Sequence, residues 1–70
     1  MNITINRNEK NPLYIQISSQ VKEMIFSGKL VNGSKLPSER QLADNLKVHR
    51  NTVIRAYNEL KDEDLISSYQ

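Results

Sequence analysis

Two short runs of helical periodicity, separated by only three residues, constrain this chain most. Leu42, Ala43 and Leu46 form one apolar stripe, and Val53, Ala56, Tyr57 and Leu60 form a second. Ahead of the first run, Ser38 and Gln41 have the spacing of a capping box, in which the hydroxyl takes the Gln41 amide and the Gln41 side chain returns to the Ser38 amide. The spacing predicts helices over 39–46 and about 50–62. Lys47, Val48 and His49 are the turn between them, with Val48 as its buried residue. Two short helices joined this tightly make a helix-turn-helix.

A third helix is expected upstream, over about 12–27. Asn11 is placed to cap it, and Pro12 suits the first helical position because no amide donor is needed there. Leu13, Ile17, Val21 and Met24, flanked by Tyr14 and Ile25, give it one apolar face, and Gly28 ends it. Asn32-Gly33 signals a turn, after which Lys35-Leu36 can pair briefly as a strand. Residues 65–70 read as the first strand of a hairpin. Residues 1–10 alternate only at Ile3 and Ile5, as a flexible lead or a short edge strand would.

Seventy residues suffice for one small domain, which buries a smaller share of its surface than a large one. With no cysteine and His49 the single histidine, neither a disulfide nor a structural zinc can staple it, so a partner chain or second domain is the expected support. The longest apolar runs, Leu13-Tyr14-Ile15 and Met24-Ile25-Phe26, are far below the ~18 residues of a membrane span, and the expected location is cytoplasmic. Residues 28–35 nearly spell a phosphate-binding loop, but Ser34-Lys35 reverses the required order and a helix precedes it. No nucleophile with a base, carboxylate pair or metal cluster stands out. The reading is therefore a non-enzyme without a cofactor.

Charge is informative through its distribution. The net charge is only +2, yet Lys35, Arg40, Lys47, Arg50 and Arg55 face just Glu39 and Asp44 in that stretch, and Glu59, Asp62, Glu63 and Asp64 reverse the sign afterwards. With Val53, Ala56, Tyr57 and Leu60 inward, Asn51, Arg55 and Asn58 fall outward and Thr52 and Ile54 flank them. Arg50 lies nearer the apolar edge, from which its long side chain can swing out in the first turn. Arginine bonds guanine, and asparagine adenine, bidentately in the major groove; threonine serves a base or a phosphate. A solvated helix face is the plain alternative. Capped helix, tight turn and local positive charge together favour duplex DNA over it. Arg40 opposes the dipole of its own helix, so a phosphate or base contact, or else an ion pair with Glu39 or Asp44, is expected there. Lys35 and Lys47 suit phosphates. His49 stands at a cap position it fills poorly, and is a further candidate phosphate contact. Ile15 and Phe26 lie on one line opposite the apolar face of the first helix, either as a contact with another subunit or domain or with Phe26 folded under Leu30. The rival function is accordingly a helical protein-interaction module.

The segments "NPLYIQISSQVKEMIFSGKL" and "GSKLPSERQLADNLKVHRNTVIRAYNELKDEDLI" resemble the N-terminal winged helix-turn-helix domain of the GntR family of bacterial transcription regulators. Leu-Pro-Ser-Glu-Arg-x-Leu-Ala at 36–43, followed by Val48-x-Arg50-x-Thr52-Val53, carries the resemblance, and the Arg50–Val53 and Arg55–Tyr57 pieces are most like the YtrA-like and MocR-like branches. It implies a mainly α fold over 11–70, a three-helix winged helix-turn-helix with a small, truncated β wing. It also implies operator DNA as partner, with Arg40, Arg50, Asn51 and Thr52 against the DNA and Ser38 capping the second helix. The expected DNA-binding set is Lys35, Ser38, Arg40, His49, Arg50, Asn51, Thr52 and Arg55. Two residues depart from the pattern: His49 replaces a serine or threonine, and Asp64 replaces a glycine. Members of the family carry a C-terminal domain that binds an effector and usually dimerises, aminotransferase-like in the MocR-like branch and a short helical tail in the YtrA-like branch. That domain, like the second strand of the wing, is not contained in these 70 residues.

Overall fold

The computed structural model describes residues 2–30 and 36–66, and within them the chain forms three helices: α1 (Leu13–Phe26), α2 (Glu39–Leu46) and α3 (Arg50–Asp62). Lys35, the Asn32-Gly33 turn and most of the expected wing strand lie outside the described residues. Leu36, Leu65 and Ile66 carry no strand.

α3 is central, packing on both α1 and α2. Val53, Ala56, Tyr57 and Leu60 are fully enclosed, as the spacing predicts, against Ile17 and Val21 of α1 and Leu42 and Ala43 of α2. The Tyr57 hydroxyl donates to the Pro37 carbonyl at 2.8 Å, giving a buried polar tip its partner and fixing the approach to α2. Lys22 joins α1 to α3 through Glu59 at 3.3 Å and Glu63 at 2.8 Å. Donation of a hydrogen bond to Glu63 is the largest cause of the raised Lys22 pKa; burial opposes it, and Glu59 adds to it.

The helix ends follow local chemistry, with one correction. Ser38 and Gln41 form the capping box of α2, each side chain meeting the other's amide at 3.1 Å. Asn11 does not cap α1: its side-chain amide donates to Glu9, its carbonyl accepts from Gln16, and the helix begins after an extended Pro12 with no side-chain cap. Gly28 ends α1 at φ +82°, a conformation glycine adopts without a Cβ clash. Two other left-handed positions hold side chains, Lys47 after α2 (φ 56°) and Asp64 after α3 (φ 59°). At each, a later amide returns to the helix, Val48 to Ala43 and Leu65 to Leu60, closing carbonyls that would otherwise lack donors.

The N-terminal segment is held in an unanticipated way. Gln20 accepts from the Thr4 amide at 3.0 Å and donates to the Thr4 carbonyl at 2.6 Å. Gln16 does the same for Asn6, at 2.7 and 3.0 Å. Four residues of helix rise ~6 Å and two extended residues ~6.6 Å, so two carboxamides one turn apart match alternate peptide groups. The segment thus runs antiparallel to α1 with Gln side chains in place of a neighbouring strand. The intervening pleat turns Ile3 into the core and leaves Ile5 half-buried.

Phe26 is 72% exposed and does not fold under Leu30, whereas Ile15 is half-buried.

Candidate nucleic-acid interface

α3 presents opposite chemistry on its two sides. With its apolar stripe sealed against α1 and α2, Arg50, Asn51 and Arg55 are exposed, and Thr52 is half-buried beside them. The side chains of Asn51 and Thr52 form no hydrogen bond with any other described residue, so their donors and acceptors remain open to a ligand.

His49 occupies the position before α3 in extended backbone (φ −63°, ψ 141°) and gives no side-chain cap. Its carbonyl accepts the Thr52 amide at 3.0 Å. The start of α3 therefore keeps the positive end of its dipole without a side-chain cap, with His49 and Arg50 exposed there, which suits an anion.

Arg50 is not free. Its Nη2 and Nε each lie 3.4 Å from Oε1 of Glu39, the first residue of α2, with the arginine side chain 63% and the glutamate 20% exposed. Sequence proximity suggests Glu39 as the partner of Arg40; three-dimensional proximity gives it to Arg50. Arg40 is exposed and has no ion-pair partner among the described residues, so the pair with Glu39 or Asp44 expected as one option does not form. Ser38 stands at the start of α2 with its oxygen accepting from Gln41, leaving the hydroxyl proton available to a neighbour.

Arg55 stacks on Tyr14 of α1, its guanidinium carbon 3.9 Å from the ring centre. Two contributors were not singled out from the sequence. Arg7 donates from Nη2 to the Lys47 carbonyl at 2.7 Å, tying the N-terminal segment to the turn of the helix-turn-helix. It adds a cation at the turn. Tyr14 reads from the sequence as an apolar flank of α1, yet its ring is half-buried and carries Arg55. The separation of 40 positions between Arg7 and Lys47 leaves no local signal for the first contact.

Among the described residues no group of acidic, histidine or cysteine side chains can hold a metal ion, and no helix is long and apolar enough to cross a membrane.

Residues 13–70 match the family model of bacterial regulatory proteins, gntR family. The HTH-type transcriptional repressor YtrA of Bacillus subtilis is 41% identical over 66 residues, covering 94% of this chain and 51% of that repressor. The HTH-type pyridoxine biosynthesis transcriptional regulator PdxR of Corynebacterium glutamicum is 33% identical over 66 residues, covering 94% of this chain and 15% of that regulator. Among solved structures, YtrA from Sulfolobus acidocaldarius, a GntR-family transcription factor, superposes with a TM-score of 0.83 at 49% identity, over 87% of this chain and 65% of that one. The chain thus spans about half the length of the Bacillus YtrA and a smaller part of PdxR. These relatives are transcription regulators rather than enzymes. With the helix-turn-helix geometry and the family model in agreement, the chain belongs to the GntR family of bacterial regulatory proteins and forms a helix-turn-helix domain of that family.

Proposed function

We propose that this domain reads operator DNA sequence-specifically, with α3 lying in the major groove and residues beyond Asp64 directed toward the minor groove. The observation that carries this is the division of α3: one side fully buried, the other exposing Arg50 and Asn51, with Thr52 half-buried beside them, at the helix start, where side chains meet base edges. Ser38, Arg40 and His49 surround that start and suit the phosphates on either side. Lys35 is assigned to a phosphate on its sequence position alone. In the full-length regulator, a two-fold dimer in the cytoplasm presents two such helices to half-sites about 34–36 Å apart, or a multiple of that spacing, and any small-molecule effector acts through a further domain.

Selection from a pool of random duplexes tests the reading. Salt-sensitive enrichment of a near-palindrome supports it. No enrichment even at low salt removes it in favour of a protein-interaction module, for which the exposed Phe26 is the available contact.

A further inference from the structure

Between the start of α1 and the open side of α3 lies a cleft of about 330 Å³, lined by Pro12, Leu13, Tyr14, Asn51, Thr52 and Arg55. Tyr14 and Arg55 line it together, the guanidinium carbon 3.9 Å from the ring centre. An arginine stacked this way satisfies its flat face while its N–H edge stays open, and the ring limits the orientations the long side chain can take. Arg55 has no carboxylate partner among the described residues, and no acidic side chain lines the cleft. The Tyr14 and Thr52 hydroxyls donate to no other described residue. A fixed guanidinium edge, two free hydroxyls and no competing carboxylate form a site for a compact oxyanion.

Position decides which oxyanion. Asn51 and Arg55 are four residues apart, one turn along the same side of α3, and α1 crosses beside them. Tyr14 holds the Arg55 guanidinium against α1, at the flank of α3. A ligand held there flanks the helix in its groove. We infer that the Tyr14–Arg55 cleft seats one phosphate of the DNA backbone, with Arg55 as the contact and Tyr14 as the residue that positions it. Arg55 is then an anchor common to all sequences rather than a reader of one base. The inference rests on the DNA-binding reading above.

The test measures the 70-residue chain against its selected duplex and a random duplex over a salt series. Arg55→Gln should weaken both by the same factor, roughly three- to tenfold, and reduce the salt slope by about one. Tyr14→Leu should weaken both in the same direction, and Tyr14→Phe, which keeps the ring, should recover most of the loss. Combining Tyr14→Leu with Arg55→Gln should add little to Arg55→Gln alone, which a general folding defect would not produce. Circular-dichroism melts show that each variant is folded at the assay temperature. Loss confined to one base position of the selected duplex, an unchanged slope for Arg55→Gln, or additive effects of the two substitutions overturns the phosphate seat while the DNA-binding reading stands. Failure of the unaltered chain to bind any duplex overturns both.

Discussion

Arg50 and Glu39, each the first residue of its helix, meet across the helix-turn-helix at 3.4 Å. The less exposed carboxylate holds the more exposed guanidinium at the mouth of the proposed groove contact. An exposed pair of this kind is worth only about 0–1 kcal/mol, so its weight falls on orientation. Glu39→Gln should leave stability within about 1 kcal/mol. It should also raise affinity for random duplex, because a negative charge leaves the interface, and narrow the ratio between selected and random DNA. Fluorescence anisotropy with both duplexes measures this, and a widened ratio would contradict the orienting role.

Arg50→Ala removes the guanidinium itself. If it reads a base, affinity for the selected operator drops by about 1–3 kcal/mol and preference relaxes at one position. Equal weakening on random DNA would reassign Arg50 to the phosphates.

Gln16 is buried and serves three backbone groups, the amide and carbonyl of Asn6 and the carbonyl of Asn11. Gln16→Leu leaves those groups without partners, a loss of roughly 1–3 kcal/mol in urea unfolding. The Asn6 amide should also lose its protection from hydrogen exchange. Gln20→Ala, which unpairs the exposed Thr4 peptide and removes a second donor from the Gln16 carbonyl, should cost less. Retained protection at Asn6 in Gln16→Leu would show that Ile3 alone holds the segment.

Asp64 takes φ 59° after α3. The left-handed region costs an ordinary L-residue roughly 1–2 kcal/mol, whereas glycine adopts it freely but gives up some entropy on folding. Asp64→Gly should therefore raise stability by about 0.5–1 kcal/mol, and Asp64→Ala, which keeps a Cβ in the left-handed region, should not. Thermal melts of the two variants check the difference.

Lys22 has its pKa raised above the ordinary 10.5, chiefly by the Glu63 hydrogen bond. Its contribution is fully present below 10.5 and disappears as the pH climbs through the higher folded value. The stability difference between the unaltered chain and Lys22→Met should thus stay constant from neutral pH to about 10 and shrink above it. A difference that stayed unchanged above pH ~10 would mean that neither glutamate favours the charged ammonium.

What the sequence determined was whatever depends on residues within a turn of one another. Ser38 and Gln41 are three residues apart, so their capping box and the start of α2 follow from spacing alone. The stripe of Val53, Ala56, Tyr57 and Leu60 likewise fixes which side of α3 is buried, and with it which residues remain outward. The left-handed turn at Asp64 is marked by an acid standing where the family has glycine. Asn11 shows the limit of the same logic: its local signal says cap, but the peptide it belongs to is committed to Gln16, and the cap is lost.

Only the tertiary structure decided contacts between elements, because those depend on how α1 crosses α3 and how the turn at Lys47 aims α2. Glu39 sits next to Arg40 in the chain but pairs with Arg50 in space. Arg55 leans on Tyr14, Arg7 reaches Lys47, and two glutamines of α1 stand in for a strand beside Thr4 and Asn6. None of these partners lies within a turn of the other. Local rules choose the side chains that face outward; the packing of the three helices chooses which of them are held, and by what.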